Sequence, residues 1–589
     1  MKYSDQFVEW LIEEGYTHCF FVAGGNIMHL LDSVRTRMKC VPFVNEIGAA
    51  IAAEYFTVAS VERKQKAFVL VTAGPGFTNT ITAIASAWTE SRELLVVGGQ
   101  VKSSDLSNGE VRQRGIQEIN GVELAKPITK AVFQISAPVP KEQVIDLIAS
   151  GSSGRPGPVF IEFTLDAQGA AALDSSGKTE KGGIAVPPLL EPDLNRARDL
   201  LNCSKRPVLL LGSGLTRATV RELSVDLERI GIPVMLTWNG ADLLPASYPL
   251  NMGRPNTWGQ RYSNVLIQQA DLLIALGTRL GIQQTGFAWD EFVPNGKIVH
   301  VDLDKAELNK QHPLKTLTIN ADANQFLGEL LLGASTQPDW SKWLEFCRTV
   351  KALLPLSEDS NQTSPGFINP FNLMSEISKL ASDEDTIIPC SSGAAFTVAM
   401  QAFELRGNQR MVTNKGMASM GYGLSGSIGA AFANPENNTY LFEGDGGFAQ
   451  NLQELGTVKA NNLRLKMFIF SNRGYASIRM TQRNYFDGAW IGCDEETGLG
   501  LPDWKSLSSA YGVEFIELSP NEELRLDQLL YINESNKPIF VLVPVDPEQT
   551  YFPKIASRVL TTGQMKSNPI HLMEPPLDKD LASKVLKYI

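Results

Sequence analysis

Two short polar segments in the last third of the chain carry the residue types best suited to hold a metal ion and a phosphate group. Gly444-Asp445-Gly446 follows one apolar run, and Asn472-Arg473-Gly474 follows another. Asp445 offers a carboxylate, whereas the Asn472 amide and the Gly474 carbonyl offer neutral oxygens. Mg²⁺ prefers such a set when phosphate oxygens complete its shell. The pattern therefore predicts a metal-bound phosphate site.

The spacing of the two segments predicts where they lie in the fold. Asp445 and Asn472 are 27 positions apart, which leaves room for one helix and one strand. Each segment would then follow a parallel strand at its carboxyl end, where open α/β sheets bind ligands. A Gly-Asp-Gly turn alone is also common after strands, so the turn by itself does not define a site.

A longer stretch around these segments resembles the thiamine-diphosphate signature of the enzyme family that contains acetohydroxyacid synthase, pyruvate decarboxylase and benzoylformate decarboxylase. It comprises Gly444 to Phe448, Asn451 to Leu455 and Asn472 to Tyr475. The resemblance extends over nearly the whole chain. It implies thiamine diphosphate and Mg²⁺ as cofactors, with metal ligands and diphosphate contacts as follows: Asp445, Asn472 and Gly474 for the metal; Gly444, Gly446, Gly447 and Tyr475 for the cofactor.

Length and periodicity predict an α/β protein of several domains. The 589 residues are too many for one core, and short apolar runs alternate with helical patterns, as in βαβ units with a parallel sheet. Together with the resemblance, this predicts three doubly wound parallel-sheet domains and a surface tail. We expect a pyrimidine-binding domain over 1–168, a central Rossmann-like domain over 189–355, a diphosphate-binding domain over 367–548 and a C-terminal tail over 549–589.

Composition argues against several other classes of protein. The net charge is −11 without a basic cluster, which argues against nucleic acid or acidic lipid as a partner. Six scattered cysteines lack the spacing of a zinc site and indicate a reducing, cytoplasmic setting. No apolar run is long enough to span a membrane, and the N-terminus has an amphipathic helical pattern rather than that of a signal peptide.

The N-terminal half contains three candidate regions around the cofactor pyrimidine. Glu46 matches the glutamate that, in the family, comes from one subunit and hydrogen-bonds the pyrimidine ring; from its position alone it could equally be a surface residue at a helix start. Gly74 and Asn79 belong to a Gly-Pro-Gly-Phe-Thr-Asn turn that resembles the family's turn beside the pyrimidine. Gln117 matches the active-site glutamine, although a solvated loop residue would look the same.

Two further segments of the C-terminal half resemble cofactor-binding loops of the family. Gly416 to Gly423 resembles the segment on which the cofactor bends, which implies an apolar wedge at Met420 and a carbonyl acceptor at Ala418. Ala418 replaces the usual glycine, and we expect the change to be tolerated if its φ is negative. Met420 could instead fill a core gap. Ser391, Ser392 and Gly393 form a second candidate cradle for the diphosphate.

The middle of the chain leaves open whether the protein binds a flavin cofactor. Gly212-Ser213-Gly214, Gly277-Thr278-Arg279 and Asp302-Leu303-Asp304 fall where FAD-binding relatives contact the flavin. However, those relatives have an Arg-Phe-Asp-Asp-Arg pattern where Arg279 to Gln283 of this chain read Arg-Leu-Gly-Ile-Gln. The residues support and oppose FAD about equally.

The resemblance implies decarboxylation of a 2-oxo acid, with pyruvate as the first choice, and transfer of the acyl carbanion to a ketone or aldehyde, as in acetolactate synthase. Pyruvate decarboxylases use a histidine pair in the first domain for protonation, and this chain has none, which favours carboligation.

The loop Gly24-Gly25-Asn26 brings an amide to the reacting centre, and Thr481 replaces a tryptophan, which together predict a polar acceptor. Asn26 could instead be a helix N-cap.

Other functions remain open at this stage. A 2-oxo acid decarboxylase, or a C–C lyase or hydrolase using the same cofactor, would release product without an acceptor. A cofactor-binding regulatory pseudoenzyme is disfavoured because Glu46, Asp445 and Asn472 are all present.

In the family, the domains that carry Glu46 and Asp445 meet across a subunit boundary, which implies a homodimer or homotetramer. The remaining partners would be small-molecule substrates.

Overall fold

The computed structural model describes residues 1–174, 186–332, 338–390, 392–559 and 565–589. Three parallel sheets carry the fold, which confirms the predicted class of three parallel-sheet α/β domains. The chain divides into two compact units, of which the first contains the N-terminal and C-terminal sheets. The second contains the central sheet and the end of the chain. The segment 169–188 between the first two predicted domains lies in part outside the described residues.

The N-terminal sheet has six parallel strands in the order β2-β1-β3-β4-β6-β5. Four of its strands, β1, β3, β4 and β6, coincide with short apolar runs of the sequence. Strands β3, β4 and β6 are buried along nearly their whole length, whereas three of the six residues of β1 are buried. The half-exposed edge strands β2 and β5 lack such runs. The strands are β1 Tyr16–Phe21, β2 Lys39–Pro42, β3 Lys66–Val71, β4 Leu94–Gln100, β5 Ala131–Ile135 and β6 Pro158–Thr164.

The helices of this block cover both faces of the sheet with one apolar side each. In the first helix, Tyr3, Phe7 and Leu11 recur at four-residue spacing and are fully buried, as the helical period requires. The helices are α1 Tyr3–Glu13, α2 Met28–Arg35, α3 Glu46–Ala59, α4 Pro75–Thr78, α5 Ile81–Glu90, α6 Gly121–Ala125, α7 Lys141–Ser152 and α8 Leu165–Gly169.

The central sheet has five parallel strands in the order β11-β10-β9-β7-β8. Its strands are β7 Pro207–Leu211, β8 Val234–Leu236, β9 Leu272–Leu276, β10 Lys297–Asp302 and β11 Leu317–Asn320. Its helices are α9 Glu191–Asn202, α10 Arg217–Glu222, α11 Ser224–Ile230, α12 Arg261–Ile267, α13 Ile282–Thr285, α14 Lys305–Asn309, α15 Ala323–Leu332 and α16 Ser341–Leu353.

The C-terminal sheet repeats the strand order of the N-terminal one, as β13-β12-β14-β15-β17-β16. Its strands are β12 Thr386–Pro389, β13 Arg410–Met411, β14 Thr439–Gly444, β15 Leu465–Ser471, β16 Glu514–Glu517 and β17 Ile539–Pro544. Its helices are α17 Pro370–Leu380, α18 Gly393–Ala402, α19 Tyr422–Ala433, α20 Asp445–Phe448, α21 Leu455–Ala460, α22 Ala476–Tyr485, α23 Trp504–Tyr511 and α24 Glu522–Glu534.

Helices α3 and α19 pack closely and join the two halves of the first unit. A Cβ added at Gly429 would lie 2.1 Å from the Ala52 carbonyl oxygen, and one at Gly426 would meet the Tyr55 ring at 2.7 Å. Glycine is therefore required at both positions, because any side chain would push the helices apart. The contact fixes the two loops that precede these helices, at Asn45 and at Gly421, within one body.

The end of the chain folds within the second unit, so it is more than the surface extension predicted from its composition. Ile570, Met573 and Val585 are buried in the core of that unit, and Gln269 Nε2 donates to the Val585 carbonyl at 2.8 Å. The elements are β18 Lys554–Ile555, β19 Ser557–Val559, β20 Met565–Ser567, β21 Met573–Glu574 and α25 Lys579–Val585. Across the described ranges, no helix is both long and apolar enough to cross a membrane.

Candidate active site

Asp445 lies at the turn between β14 and α20 and organises the predicted metal site. Its carboxylate is buried, and Oδ2 accepts hydrogen bonds from the backbone N–H groups of Asn472, Arg473 and Gly474 at 3.1, 3.0 and 3.3 Å. Oδ1 accepts from the Gly446 N–H at 2.7 Å. Burial raises the pKa of Asp445 to about 6, against the lowering effect of these four donors. The two predicted segments therefore meet at adjacent strand ends.

Asn472 supplies the observation that best fits a cation. Its side chain is 5% exposed, and its Oδ1 atom has no hydrogen-bond partner among the described residues. A buried amide oxygen without a donor is unfavourable, and a metal ion would remove that cost. Because Asn472 Oδ1 belongs to the residue whose N–H binds Asp445, a carboxylate and an open neutral oxygen are available together. The donor set fits Mg²⁺ completed by phosphate oxygens.

The glycines of the two segments are required by close contacts. A Cβ at Gly446 would lie 2.4 Å from the Tyr475 ring, which packs against this turn. Gly474 has a φ of +126°, and a Cβ there would lie 2.3 Å from the Cys493 carbonyl oxygen. In contrast, Gly444 has nothing within 4 Å of its Cβ position, so its surroundings are open. Gly447 lies beside Glu443, whose carboxylate oxygen is 3.1 Å from its Cβ position.

The loop that precedes α19 contains Ala418 and Met420. Ala418 has a φ of +50°, so the condition under which alanine would replace glycine without cost, a negative φ, is not met. The left-handed conformation costs a residue with a Cβ about 1 kcal/mol, which explains why glycine is usual there. Met420 is 37% exposed, with Gln450 Nε2 3.6 Å from its sulfur, so it is not a core-filling residue. An exposed methionine beside an open loop fits an apolar wedge.

The second predicted diphosphate cradle is described only in part. Ser391 lies outside the described residues. Ser392 is half-buried in the turn before α18, and Gly393, at the start of that helix, has a φ of +82° with nothing within 4 Å of its Cβ position.

Side chains of the N-terminal block hold the loop before α19 in place, which was not predictable from the sequence. Glu90 Oε1 accepts from the Lys415 N–H at 2.8 Å and also from the Gly416 N–H. Arg92 Nη2 donates to the Thr413 carbonyl at 2.5 Å, and Arg92 Nη1 donates to Glu54 Oε1 at 2.9 Å. Burial alone would lower the pKa of Arg92, but Glu54 and Glu90 raise it above its ordinary value. This buried charge cluster fixes the start of the loop.

Glu46 is the first residue of α3 and is half-buried. Its Oε2 atom accepts from Asn79 Nδ2 at 2.9 Å, so two residues predicted near the pyrimidine are in contact. Asn45 caps the helix, because its side chain accepts from the Ile47 N–H at 3.1 Å. No hydrogen bond or salt bridge within the described ranges joins Glu46 to Asp445 or Asn472.

Glu454 is a site residue whose role the sequence did not indicate. It belongs to the motif between the two metal-binding segments, yet its carboxylate accepts from the backbone N–H groups of Val44 and Asn45 at 3.4 and 3.0 Å. Burial raises the pKa of Glu454. It thus holds the residues just before Glu46 against the C-terminal block.

Gly74 and Gln117 are also neighbours, as the resemblance implies. A Cβ at Gly74 would lie 2.4 Å from the Gln117 carbonyl oxygen, and Gln117 itself has a φ of +62°. The adjacent Glu118 accepts from the N–H groups of Ser107, Arg114 and Gly115 at 2.6, 2.8 and 2.9 Å. Burial acts to raise the pKa of Glu118, but these bonds hold it at about 2. Glu118 therefore shapes the loop that presents Gln117.

The alternative interpretation of Asn26 as a helix N-cap is wrong. The residue lies within a 3₁₀ turn over Gly25–Ile27, and its side chain makes no capping hydrogen bond. Its backbone is held on both sides, since its N–H lies 3.3 Å from Thr72 Oγ1 and its carbonyl accepts from Gln168 Nε2 at 2.7 Å. Gly25 has nothing within 4 Å of its Cβ position. The side-chain amide of Asn26 is thus available to a ligand.

Thr481 is exposed on α22, and its hydroxyl donates to the Ser477 carbonyl at 3.0 Å.

The central segments that suggested a flavin contact one another or neighbouring residues of the chain. The Gly214 N–H donates to the Gly277 carbonyl at 3.0 Å, and a Cβ at Gly212 would lie 2.2 Å from the same oxygen. Asp304 caps α14 by accepting from the Ala306 N–H at 2.8 Å. The Thr278 carbonyl lies 2.6 Å from His300 Nε2. These contacts explain why such residues are present even without a bound ligand. The segments are therefore not evidence for a flavin.

The fold and the site together define a class of protein. Two α/β sheets of equal strand order lie in one unit, one with a carboxylate-amide cation cradle at its strand ends and the other with a glutamate at a helix start. In the described part of the chain, no group of three His, Cys, Asp or Glu residues is placed to hold a metal, so the single-carboxylate cradle is the candidate metal centre. This arrangement fits an enzyme that binds a diphosphate cofactor through a metal ion.

Comparison with known proteins identifies the family. Sequence models described as thiamine pyrophosphate enzyme match residues 1–124 (N-terminal TPP binding domain), 194–330 (central domain) and 391–543 (C-terminal TPP binding domain). The chain is 30% identical over 562 residues to the acetolactate synthase isozyme 1 large subunit of Escherichia coli (strain K12), covering 93% of this chain and 94% of that protein. It is 29% identical to a probable acetolactate synthase large subunit of Methanocaldococcus jannaschii, covering 93% of each chain. The chain belongs to the thiamine pyrophosphate enzyme family.

Proposed function

We propose that this protein is a thiamine-diphosphate- and Mg²⁺-dependent carboligase of the acetolactate synthase type. It would decarboxylate a 2-oxo acid, with pyruvate as the first candidate, and join the remaining acyl unit to a ketone or aldehyde. The observation that carries the proposal is the pair of Asp445 and the buried, unpartnered Oδ1 of Asn472. The names of the relatives, which are acetolactate synthase large subunits, support the ligation step.

The metal site has a defined task in this proposal. Asp445, Asn472 Oδ1 and the Gly474 carbonyl would hold Mg²⁺, and the open turn at Gly444 would admit the diphosphate. Thiamine diphosphate, when bound, supplies a nucleophilic carbon and an electron sink. Met420 and the Ala418 carbonyl would set the orientation of its pyrimidine ring. The Glu90 and Arg92 contacts support this role, because they fix the loop that carries both residues.

Glu46 would share a proton with the pyrimidine ring, and Asn79 would hold its carboxylate in position. Because the family resemblance implies that the domains carrying Glu46 and Asp445 meet across a subunit boundary, we infer that the glutamate serves the cofactor held by a second copy of the chain. The relatives are named as large subunits, which is consistent with assembly. A homodimer is therefore the smallest active form in this proposal, and a homotetramer would meet the same requirement.

Carboligation is favoured over release of an aldehyde because three of the five histidines are unsuited to deliver a proton. His18 packs against Phe56 with 4.3 Å between ring centroids, and burial lowers its pKa to about 4. Burial also lowers the pKa values of His300 and His571 to about 4. These rings are neutral near pH 7 and cannot act as ready acids. A carbonyl acceptor is then the better electrophile, and the free Asn26 amide would bind a polar one.

FAD remains an open part of the proposal, because the contacts among Gly212, Gly214 and Gly277 need no ligand. Flavin absorbance of the purified protein decides this point directly.

The function is tested by incubating the enzyme, Mg²⁺ and thiamine diphosphate with pyruvate and a panel of aldehydes and ketones. Mass spectrometry of the products should give an acyloin that contains both substrates, and its formation should depend on the acceptor. Free aldehyde as the main product, at a rate that no acceptor changes, would assign the protein to the decarboxylases or lyases instead.

A further inference from the structure

The second unit contains a cavity that no part of the proposed reaction uses. Its volume is about 200 Å³. Its walls come from the end of β8, the segment before α12 with the first turn of that helix, the end of α16 with the residues that follow it, and residues 403–405. None of the residues assigned above to thiamine diphosphate, Mg²⁺ or a flavin lines it. Most of the wall is apolar, including Leu236, Leu244, Leu354 and Phe403.

Two cations face this apolar space. Arg254 is 6% exposed, and its guanidinium makes one hydrogen bond within the described ranges, from Nη2 to the Phe403 carbonyl at 2.7 Å. The remaining donors of its five N–H groups have no acceptor there. Lys351 Nζ donates to the Asn251 carbonyl at 2.8 Å and lies 5.9 Å from the centroid of the Tyr262 ring. Burial lowers the pKa of both Arg254 and Lys351.

The chain supplies too little negative charge to balance this pair. Glu404 also lines the cavity, but its side chain is exposed and forms no salt bridge with either cation in the described residues. Glu404 attracts both cations electrostatically, but two positive charges and one negative charge leave an excess of one positive charge at the cavity wall. A desolvated cation without a close counter-ion is costly, and an anionic ligand would remove that cost.

We infer that this cavity binds a small organic monoanion, namely a carboxylate on an apolar body of about ten non-hydrogen atoms. Arg254 and Lys351 would bind the carboxylate, and the leucine and phenylalanine side chains would surround the body. The size follows from comparison with an apolar cavity of about 150 Å³, which holds benzene. The charge follows from the balance of the three ionised residues.

The test uses benzoate as the probe, with benzamide as an uncharged molecule of the same shape. Isothermal titration calorimetry on the full-length protein should detect benzoate binding at millimolar concentration or below, and benzamide should bind at least tenfold more weakly. Lys351→Met should weaken benzoate binding at least tenfold while keeping the apolar stem of the side chain. Lys342→Met, on the exposed side of the same helix, is the matched control and should bind benzoate like the wild type.

A second variant covers the case in which Lys351→Met is misfolded. Arg254→Met replaces a buried charge by an apolar side chain of similar length, which is often neutral for stability, and it should abolish benzoate binding with an unchanged circular dichroism spectrum. The inference is overturned if benzoate does not bind the wild type, if benzamide binds equally well, or if both cavity variants bind benzoate like Lys342→Met. Loss of thiamine-dependent activity in any of these proteins would not bear on the result.

Discussion

The two sheets of the first unit have the same strand order but present opposite chemistry at equivalent turns. In the N-terminal sheet the turn after β3 is filled by the chain itself, since Gly24 packs on Thr72 and Gly74 packs on the Gln117 backbone. In the C-terminal sheet the turn after β14 carries Asp445 and stays open at Gly444. At this pair of turns the N-terminal sheet is therefore closed by its own chain, whereas the C-terminal sheet is open enough to take a cation and a phosphate.

The difference extends to the helices α3 and α19, which pack on each other. The N-terminal helix begins with an ionisable side chain, Glu46, whereas the C-terminal helix is preceded by an apolar one, Met420, and a carbonyl acceptor at Ala418. Each block also holds the other's loop: Glu454 binds the backbone at Asn45, and Glu90 binds the backbone at Lys415. The proposed function would thus divide cofactor binding and proton transfer between the two copies of a repeated architecture.

The largest effect is expected from removal of the metal ligand. Asp445→Ala deletes the carboxylate and leaves four N–H groups without that acceptor, so thiamine diphosphate binding should be lost even with Mg²⁺ in excess. Calorimetry measures the cofactor binding, and Asp527→Ala, an exposed aspartate of the same block, is the control. Unchanged cofactor affinity in Asp445→Ala would remove the metal assignment. EDTA should inactivate the wild type, and Mg²⁺ should restore it.

Loss of the proton-sharing group should leave binding intact and slow the chemistry. Glu46→Gln should keep the cofactor affinity within a few-fold but lower kcat by roughly 10² to 10⁴, the range for a lost acid-base group. The readout is hydrogen–deuterium exchange at the reactive carbon of the cofactor, followed by NMR. Glu9→Gln on α1 is a surface control. Exchange at the wild-type rate in Glu46→Gln would contradict the assigned role.

Loosening the loop before α19 should have a smaller effect on both binding and turnover. Glu90→Ala removes the acceptor of the Lys415 and Gly416 N–H groups, and displacement of the loop by about 1 Å should cost roughly tenfold to a hundredfold in kcat/KM. Mg²⁺ binding alone should not change, because the Asp445 cluster does not contact this loop's backbone. Glu123→Ala, an exposed glutamate, provides the comparison. An equal loss in both variants would mean that Glu90 has no positioning role.

The smallest effect concerns the choice of acceptor. Asn26→Ala should weaken use of a polar acceptor by about 1 kcal/mol through one lost hydrogen bond, while pyruvate decarboxylation stays near its wild-type rate. Because the Asn26 side chain caps no helix, the melting temperature should not change. The ratio of ligation to decarboxylation is the readout. An unchanged ratio would remove the argument for a polar acceptor.

Much of the fold could be predicted from the sequence because the central strands are buried on both faces. Runs such as Phe68–Val71 and Met467–Phe470 are apolar at every position, which indicates a covered parallel sheet. The edge strands β2 and β16 escaped prediction because they keep lysine and glutamate residues on an exposed side. The association of Asp445 with Asn472 was also predictable, since adjacent parallel strands end at one edge.

Other parts of the site could not be predicted, because they depend on contacts between distant segments. Glu454 and Asn45 are 409 positions apart, and no local pattern links a glutamate to a backbone so far away. The same holds for Glu90 and Lys415, which are 325 positions apart. The positive φ of Ala418 was missed for another reason: alanine rarely adopts it, and the surrounding contacts impose the conformation.

The division of labour between the two blocks is tested most directly by mixing two inactive variants. If Glu46 serves the cofactor bound by the partner subunit, a dimer of one Glu46→Gln chain and one Asp445→Ala chain has one intact site and one doubly defective site. After dissociation and random reassociation in equal amounts, half of the dimers are mixed, so about a quarter of the wild-type activity should return. Activity that stays at the level of the separate variants, despite proven subunit exchange, would show that both residues act within one chain and would contradict the account.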